Sequence, residues 1–581
     1  MATIHVDEEA GLDEPQTTGD QSSPYKSLQY AYVSHPPSDE SPTNFLVKKA
    51  GEADKGFQPA AKAGLKKAAA FAEQQKKKAA KEKELAAKQA EQDKARAAVL
   101  EEAKKIKVEE DPSLPKAVRI KLDERPPWLT LRKGSSQPQD AKDVEYTDKD
   151  GGRGSRVRVL GRVHRVRQQA KNVFVTLRDG YGYMQCLITG ELAKTYDIIT
   201  LARETSIEVT GEMWEVPPGN RAPGNRELHA DFFRIDPSWK APGGDDAITN
   251  RVAEKSDPQT LLDLRHLTLR GETTSAIMLV RDAVEFAFHT AYKECRIRKA
   301  APPALVQTQV EGGATLFKFD YYGQQAFLTQ SSQLYLETCL PAMGDVYCIE
   351  KSFRAEKSLT RRHLSEYTHI EAELDFITFD DLLAHLEHVM CRVIELVLAD
   401  PVTAGLMEDL NPGFVVPERP FKRMRYTEAI GWLQAHGIKN EEGEDHKFGD
   451  DIAEAAERRM TDEIGRPIFL THFPAEIKAF YMMRDPEDRR VTESVDCLMP
   501  GVGEIVGGSM RITDYEELMA AYKREGIDPS GYYWYTDQRK YGTSPHGGYG
   551  LGLERFLAWM CKLHTVREAC LYPRYMGRCT P

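Results

Sequence analysis

Three short stretches hold the residue types that could do chemistry. In the first, Ser352-Phe353-Arg354-Ala355-Glu356 is followed by Thr360-Arg361-Arg362-His363-Leu364-Ser365-Glu366-Tyr367. Strand-like runs flank it, so it reads as a hairpin whose loop is crowded with cations. Guanidinium groups make forked contacts to phosphate oxygens and an imidazole adds a donor, which suits a polyphosphate. A surface hairpin of salt bridges would use the same residues. The second stretch is His546-Gly547-Gly548-Tyr549-Gly550-Leu551-Gly552-Leu553-Glu554-Arg555-Phe556. Its glycines let backbone approach a ligand closely. They run into an apolar helix, so Arg555 lies near a helix N-terminus, where anions are favoured. The third, Glu504-Ile505-Val506-Gly507-Gly508-Ser509-Met510-Arg511, sets a carboxylate seven residues before an arginine across two glycines. Magnesium on phosphates takes one or two carboxylates, so Glu504 is a candidate metal ligand beside an anion or amide clamp, Arg511. The pattern G-x-x-x-x-G-K-[ST] does not occur, which argues against a P-loop nucleotide site.

The segments that must position these residues differ in kind. From about residue 260 onward, long apolar helices alternate with strand-like runs. Before that, Val157–Val166, Val173–Arg178, Tyr183–Ile188, Ser206–Glu215 and Leu228–Ile235 read as five short strands separated by turns, which suits an OB-type barrel. Arg153 to Lys171 holds seven Lys/Arg and no acid. With Phe174 after it, that face suits single-stranded nucleic acid held by charge and stacking; a Phe174 in the barrel core is the other reading. Pro112–Pro127 reads as a linker. Residues 61–107 hold fourteen Lys/Arg, seven Asp/Glu and abundant Ala, with Gly64 the only glycine and no proline. These are strong helix formers. Phe71, Leu85, Val99 and Ile106 share one heptad position, but the second seam position is polar, so a coiled coil is not expected. The helix is either a solvated rod or an electropositive arm for RNA or a partner. Residues 1–59 show no sustained period, so part of them is expected to be disordered; the aromatic run Leu28–Val33 reads as a strand of a small appended module.

The formal charge is −11 over 581 residues. Taken alone, that speaks against a nucleic-acid partner. It is a sum of unlike parts: residues 61–107 carry +7 and the rest −18. No apolar run reaches the length of a membrane helix. The N-terminus, MATIHVDEEAGLDEP, is acidic and resembles neither a secretory nor a mitochondrial leader. Nine cysteines without a C-x-x-C pair fit a reducing, cytoplasmic compartment.

The F-R-x-E hairpin and the G-x-G-x-E-R strand-to-helix segment together resemble the second and third motifs of the class II aminoacyl-tRNA synthetases. A barrel placed before the catalytic domain is similar to subclass IIb, the aspartyl, asparaginyl and lysyl enzymes. The resemblance spans residues 110–581. It implies an α+β fold, in which an antiparallel sheet flanked by helices follows an OB-fold barrel and a charged helical extension. The implied division is an appended module at 1–59, a Lys/Ala-rich helix at 60–110, a linker at 111–150, an anticodon-binding barrel at 151–238 and a catalytic domain at 239–581. An insertion at about 400–450 is expected to pack against the catalytic sheet. The family is dimeric through a first motif, for which Ala276–Tyr292 supplies the helix and Pro303 the proline, while Arg296–Ala301 departs from the usual pattern.

Within the resemblance, Gln307–Gly313 is similar to a loop whose glutamate, here Glu311, holds the substrate ammonium. Gln330-Ser331-Ser332-Gln333-Leu334-Tyr335-Leu336-Glu337 is similar to the helix behind the side-chain pocket, with Gln333 also on the amino acid. Aspartyl enzymes carry Q-S-P-Q-L-[YF]-K-Q there; this sequence has Leu336 for the lysine and Glu337 for the last glutamine. A carboxamide offers two donors and one acceptor. Arg511 can donate to its oxygen and Glu337 can accept from its NH2, whereas aspartate would face Glu337 uncompensated. The residues therefore point to L-asparagine, and to an AMP-forming asparagine–tRNA ligase charging tRNA(Asn). Its cofactors would be ATP and Mg2+, and it would act as a cytoplasmic homodimer. By the same resemblance Arg354 contacts the α-phosphate and the substrate carboxylate, and Arg555 holds the γ-phosphate and with Tyr367 sandwiches the adenine. Glu356 binds the adenine amino group or orients the loop. Arg362 and His363 reach the outer phosphates, Glu504 binds magnesium with Ser509 or a water completing its shell, and Leu364, Gly552, Leu553 and Glu554 complete the ATP site. Phe174 and Gln185, eleven apart, match the pair that reads the central anticodon base by stacking and hydrogen bonding, and Glu227 faces the third base. The rivals are an aspartyl enzyme of the same fold, a non-catalytic tRNA-binding paralogue, and an added scaffold role for residues 1–110.

Overall fold

The computed structural model describes residues 2–38, 42–51, 55–132, 155–169, 171–216, 219, 221–310 and 316–581. The chain divides into two compact units, Met1–Ile248 and Thr249–Pro581.

In the first unit, strand Ala2–Asp7 pairs in parallel with Thr43–Lys48, which pairs with Gln58–Pro59. Ile4, Val6, Tyr25, Ala31 and Phe45 form a small core for this appended module. Leu28–Ser34 is a helix and not the expected strand. The reason is local. The Ser27 hydroxyl accepts from the Tyr30 N–H and caps the first turn. Leu28, Ala31 and Tyr32 then fall on one helical face against the module core. The long helix runs from Lys62 to Ala103, 42 residues, or about 60 Å. Its start lies against Leu28–Ser34. A Cβ on Gly64 would lie 3.2 Å from Leu28 Cδ2, and Ala68 and Ala72 are buried there. Farther along, Phe71 and Val99 are exposed, and Glu73–Lys77 and Glu84–Lys88 pair one turn apart.

The barrel has the expected five strands, Arg156–Gln169, Asn172–Arg178, Tyr183–Ile188, Ser206–Glu215 and Arg226–Arg234. The first strand is long enough to pair with the second through Arg162–Gln169 and with the fourth through Arg156–Arg162. Val157, Val159, Val175, Leu177, Met184, Val209 and Leu228 alternate inward to fill it. Phe174 is not among them.

The second unit is built on an eight-stranded sheet in the order Arg298–Lys299, Val346–Phe353, Glu366–Asp375, His546–Gly552, Gly503–Met510, Ser494–Met499, Ile468–Thr471 and Lys422–Arg425. The pairings are antiparallel except at the two edges. Helices Glu272–Glu294, Phe379–Ala399 and Leu553–Met560 share one core with Ile370, Ala372, Leu374, Val495, Cys497, Tyr549 and Leu551 of the sheet. Strand alternation turns the intervening residues His369, Glu371, Glu373, Asp496 and Gly550 to the opposite face. Tyr426, Ile430 and Leu433 pack with Met424 of the edge strand on Ile468, Leu470 and Leu498. Among the described residues, no helix is long and apolar enough to cross a membrane.

Candidate active site and anticodon platform

The face of the sheet away from the helices floors a cleft of about 510 Å3, a size typical of small-molecule sites. Val346–Phe353 and Glu366–Asp375 form the expected hairpin, with Ser352 opposite Tyr367. Its loop delivers Arg354, Arg362, His363 and Leu364 to the cleft wall, where Tyr367 and Arg555 join them. The Arg354 guanidinium lies 5.6 Å from the Tyr367 ring centre. Arg555 donates to the Glu504 carbonyl and carboxylate, both at 3.1 Å. Arg362 donates to the same carbonyl at 3.2 Å. Burial would raise the Glu504 carboxyl, but Arg555, Lys478, Arg362 and Arg354 around it hold it below the usual range. Burial lowers the His363 imidazole, favouring its neutral form. Glu356 is outside the cleft lining and 3.5 Å from His363, which fits orienting the loop.

Glycines make the floor. Gly507, Gly508 and Gly550 line it, and a Cβ on Gly550 would lie 2.2 Å from His369 Nε2. Gly552 lines the cleft where this strand becomes the helix Leu553–Met560. The side chain of Leu553 is fully buried in the core, because the first turn of the helix turns it toward the packed face. Glu554 lines the cleft, with both carboxylate oxygens taken, by Arg281 Nη1 at 2.9 Å and the Thr368 N–H at 3.0 Å. It therefore fastens the helix to the sheet.

Asp496 and Lys478 escaped the sequence reading. Asp496 sits opposite Gly507 on the neighbouring strand. A Cβ on Gly507 would be 3.5 Å from Glu504 Oε1 and 3.7 Å from Asp496 Oδ1, so the two carboxylates flank a space that a side chain would fill. Burial pushes the Asp496 carboxyl up to about 6, against the pull of Lys478 Nζ at 2.8 Å. Two carboxylates beside a cationic phosphate pocket fit a magnesium ion. Ser509 does not fit that shell, because its buried hydroxyl accepts from Arg511 Nη1 at 2.7 Å.

At the other end of the cleft, Gln333 and Arg511 line the wall. Arg511 grips Glu373 through Nε and Nη2. Burial would lower the Arg511 guanidinium, but Glu373 keeps it charged. Burial pushes Glu373 up to about 7, which Arg511 opposes. Glu337 stands behind the wall and does not line the cleft. Its Oε1 accepts from Gln333 Nε2 at 3.1 Å and the Tyr535 hydroxyl at 3.0 Å, and its Oε2 from Arg539 Nη2 at 2.8 Å and His546 Nε2 at 3.0 Å. Burial works against the Glu337 charge, but Arg539, His546 and Arg511 hold its carboxyl well below the usual range. The expectation that Glu337 accepts from a substrate NH2 therefore meets a carboxylate whose four lone-pair positions are occupied. Glu311 lies outside the described residues.

On the barrel, Phe174, Gln185 and Glu227 stand on three successive strands. Phe174 is opposite Leu187, Thr176 opposite Gln185, and Gln185 beside Glu227. Gln185 Nε2 donates to Glu227 Oε2 at 2.9 Å, and Glu227 Oε1 holds His229 at 2.9 Å. The Arg167 guanidinium covers the Phe174 ring at 5.0 Å. The cationic strand is thinner than its composition suggests. Arg156 is tied to Asp231 and Glu110, and Arg158 to Glu208, while Arg162, Arg165 and Arg167 are exposed.

Residues 257–576 match the family of tRNA synthetases class II (D, K and N), residues 157–235 the OB-fold nucleic acid binding domain, and residues 20–115 the asparaginyl-tRNA synthetase N-terminal domain. The cytoplasmic asparagine–tRNA ligase of Saccharomyces cerevisiae is 50% identical over the whole of both chains. That of Homo sapiens is 53% identical over 83% of each. The structure of Entamoeba histolytica asparaginyl-tRNA synthetase in complex with asparaginyl-adenylate superposes with a TM-score of 0.69 at 43% identity, covering 78% of this chain and 99% of that one.

Proposed function

The chain belongs to the class II tRNA synthetases, among the asparagine–tRNA ligases, and from that membership we propose how its cleft and barrel divide the work. The activity is ATP-dependent activation of L-asparagine to asparaginyl-adenylate with release of pyrophosphate, then transfer to the 3′ end of tRNA(Asn); the aspartyl alternative is not favoured. The asparagine carboxylate attacks the α-phosphorus of ATP, and no protein nucleophile is required. Positioning and charge neutralisation carry such a reaction. Arg354 bridges the α-phosphate and the substrate carboxylate. Arg555, Arg362 and His363 take the outer phosphates, and Tyr367 stacks on the adenine. Magnesium, held by Glu504 and Asp496, would neutralise phosphate charge as pyrophosphate leaves. Glu311 takes the substrate ammonium, and Arg511 and Gln333 meet the carboxamide. Phe174, Gln185 and Glu227 read the anticodon. Leu279 and Phe286, exposed one above the other on helix Glu272–Glu294, support a homodimer, and the naming of the relatives supports a cytoplasmic location.

The observation that carries this reading is the convergence of Arg354, Arg362 and Arg555 on one end of a cleft whose other end presents Arg511 and Gln333. Pyrophosphate exchange decides it. Exchange is expected with asparagine and not with aspartate; the reverse would make the chain an aspartyl enzyme, and neither would leave a tRNA-binding paralogue.

A further inference from the structure

Resting on the magnesium role of Glu504 and Asp496, we propose that Glu457, on the helix Glu454–Ile464, is a positioning residue for the ATP end of the cleft, because it holds from behind the main chain that carries Glu504.

Glu504 stands at an irregular point of the sheet. The pairing of Ser494–Met499 with Gly503–Met510 slips between Cys497 and Leu498, which face Val506 and Glu504 and pass over Ile505. Such a bulge re-aims a side chain, and the ladder alone does not fix its direction. Contacts from outside the sheet do so here. Glu457 Oε1 accepts from the Glu504 N–H at 3.1 Å. The Glu504 carbonyl accepts from Arg362 Nη2 at 3.2 Å and Arg555 Nη1 at 3.1 Å. The N–H belongs to the planar peptide unit before the Cα and the carbonyl to the one after it, so the bonds together fix where the side chain points. The helix also reaches Arg362, whose Nη1 lies 3.3 Å from Glu454 Oε1. A Cβ on Gly503 would lie 2.9 Å from Glu457 Oε1 and 3.0 Å from Arg362 Nη1, so the bare glycine lets both close over the strand.

The two arginines are also the groups assigned to the outer phosphates, so they must share their donors between ligand and carbonyl. Glu457 does not line the cleft and has no such second duty. Its hold on the Glu504 N–H is the one that persists when ATP enters. It keeps Glu504 Oε1 turned to the gap at Gly507, across from Asp496 Oδ1, without touching substrate or metal.

The test reads the Mn2+ dissociation constant by EPR in the full-length protein, with an ATP analogue bound that carries methylene between its α- and β-phosphorus. The Mg2+ concentration for half-maximal exchange is read beside it. Glu457→Met, similar in length and without an oxygen acceptor, is expected to raise both about tenfold, equivalent to about 1.4 kcal/mol. It should leave KM for asparagine unchanged, since Arg511 and Gln333 stand at the other end of the cleft. Glu457→Gln keeps an acceptor oxygen and should stay near wild type. Asp462→Ala is the control on the same helix, where Asp462 Oδ1 accepts from the Gly501 N–H at 2.6 Å. It should lower the unfolding midpoint without moving Mn2+ affinity. Unchanged Mn2+ affinity in Glu457→Met would overturn the proposal. So would a glutamine variant as weak as the methionine one, or an equal loss in Asp462→Ala. If Glu457→Met does not fold, Glu457→Ala reads the same quantities. Glu504→Gln keeps two failures apart. Mn2+ affinity indifferent to Glu504→Gln would refute the magnesium role itself, whereas a loss there beside a normal Glu457→Met would refute only this inference.

Discussion

Gly550→Ala probes the floor of the cleft. The added Cβ would sit 2.2 Å from His369 Nε2 and 2.8 Å from its Cε1, so the ring must move by about 1 Å to reach ordinary contact. It is not free to do so. His369 is 7% exposed, and its Nδ1 is 3.0 Å from the hydroxyl of Ser352, itself 1% exposed. Displacing the ring leaves that hydroxyl buried without its partner, a cost of about 1–3 kcal/mol, and drives the imidazole into the space beside Tyr367. At 1.36 kcal/mol per factor of ten, about 2 kcal/mol corresponds to a loss on the order of 30-fold in kcat/KM for asparagine-dependent exchange, together with a lower unfolding midpoint. Gly507→Ala is the control. Its Cβ meets Glu504 and Asp496 at 3.5 and 3.7 Å, ordinary contact distances, so the fold should be unchanged while the magnesium concentration for half-maximal exchange rises. Wild-type exchange kinetics and an unaltered midpoint in Gly550→Ala would refute the steric reasoning.

Three further outcomes are expected. Arg354→Ala should abolish asparagine-dependent exchange; ordinary exchange in that variant would remove Arg354 from the reacting centre. Phe174→Ala should raise KM for tRNA by roughly 5- to 150-fold, the loss of one stacked base at about 1–3 kcal/mol, and leave exchange untouched; a defect confined to exchange would contradict the barrel assignment. Burial holds His385, 3.1 Å from the Tyr549 hydroxyl, at a pKa of about 4, so the folded protein keeps it neutral while the unfolded chain takes a proton near pH 6.5. Its contribution is present above that pH and lost as pH falls toward 4, by at most about 3 kcal/mol. Denaturant midpoints between those pH values should fall more steeply for wild type than for His385→Gln; equal slopes would dismiss the assignment.

Much of the site was legible because it lies in contiguous segments. Arg354 and Tyr367 share one hairpin, and the glycines and Arg555 share one strand-to-helix junction, so strand alternation and helix-start chemistry suffice to bring them to a ligand. The barrel strands were legible for the same reason, since each alternates within its own span. What escaped depends on register between distant segments. Asp496 is a lone acid in an apolar run until the sheet sets it opposite Gly507. Arg539 is an ordinary residue of a polar helix until Glu337, some two hundred positions earlier, is found against it. Leu28–Ser34 is helical despite its aromatic content, because the Ser27 cap starts a helix there. Glu337 lies behind the expected pocket, but spacing does not reveal how many donors a buried carboxylate has already met.

The glycine floor also bears on escape from inhibitors. A competitive compound lying flat on Gly550 and Gly507 would be recognised by main chain, which no substitution removes. Resistance there could arise only by adding atoms, and at Gly550 those atoms collide with His369 before they reach the compound. The surface that admits the substrates is therefore one the enzyme cannot readily alter without damaging itself.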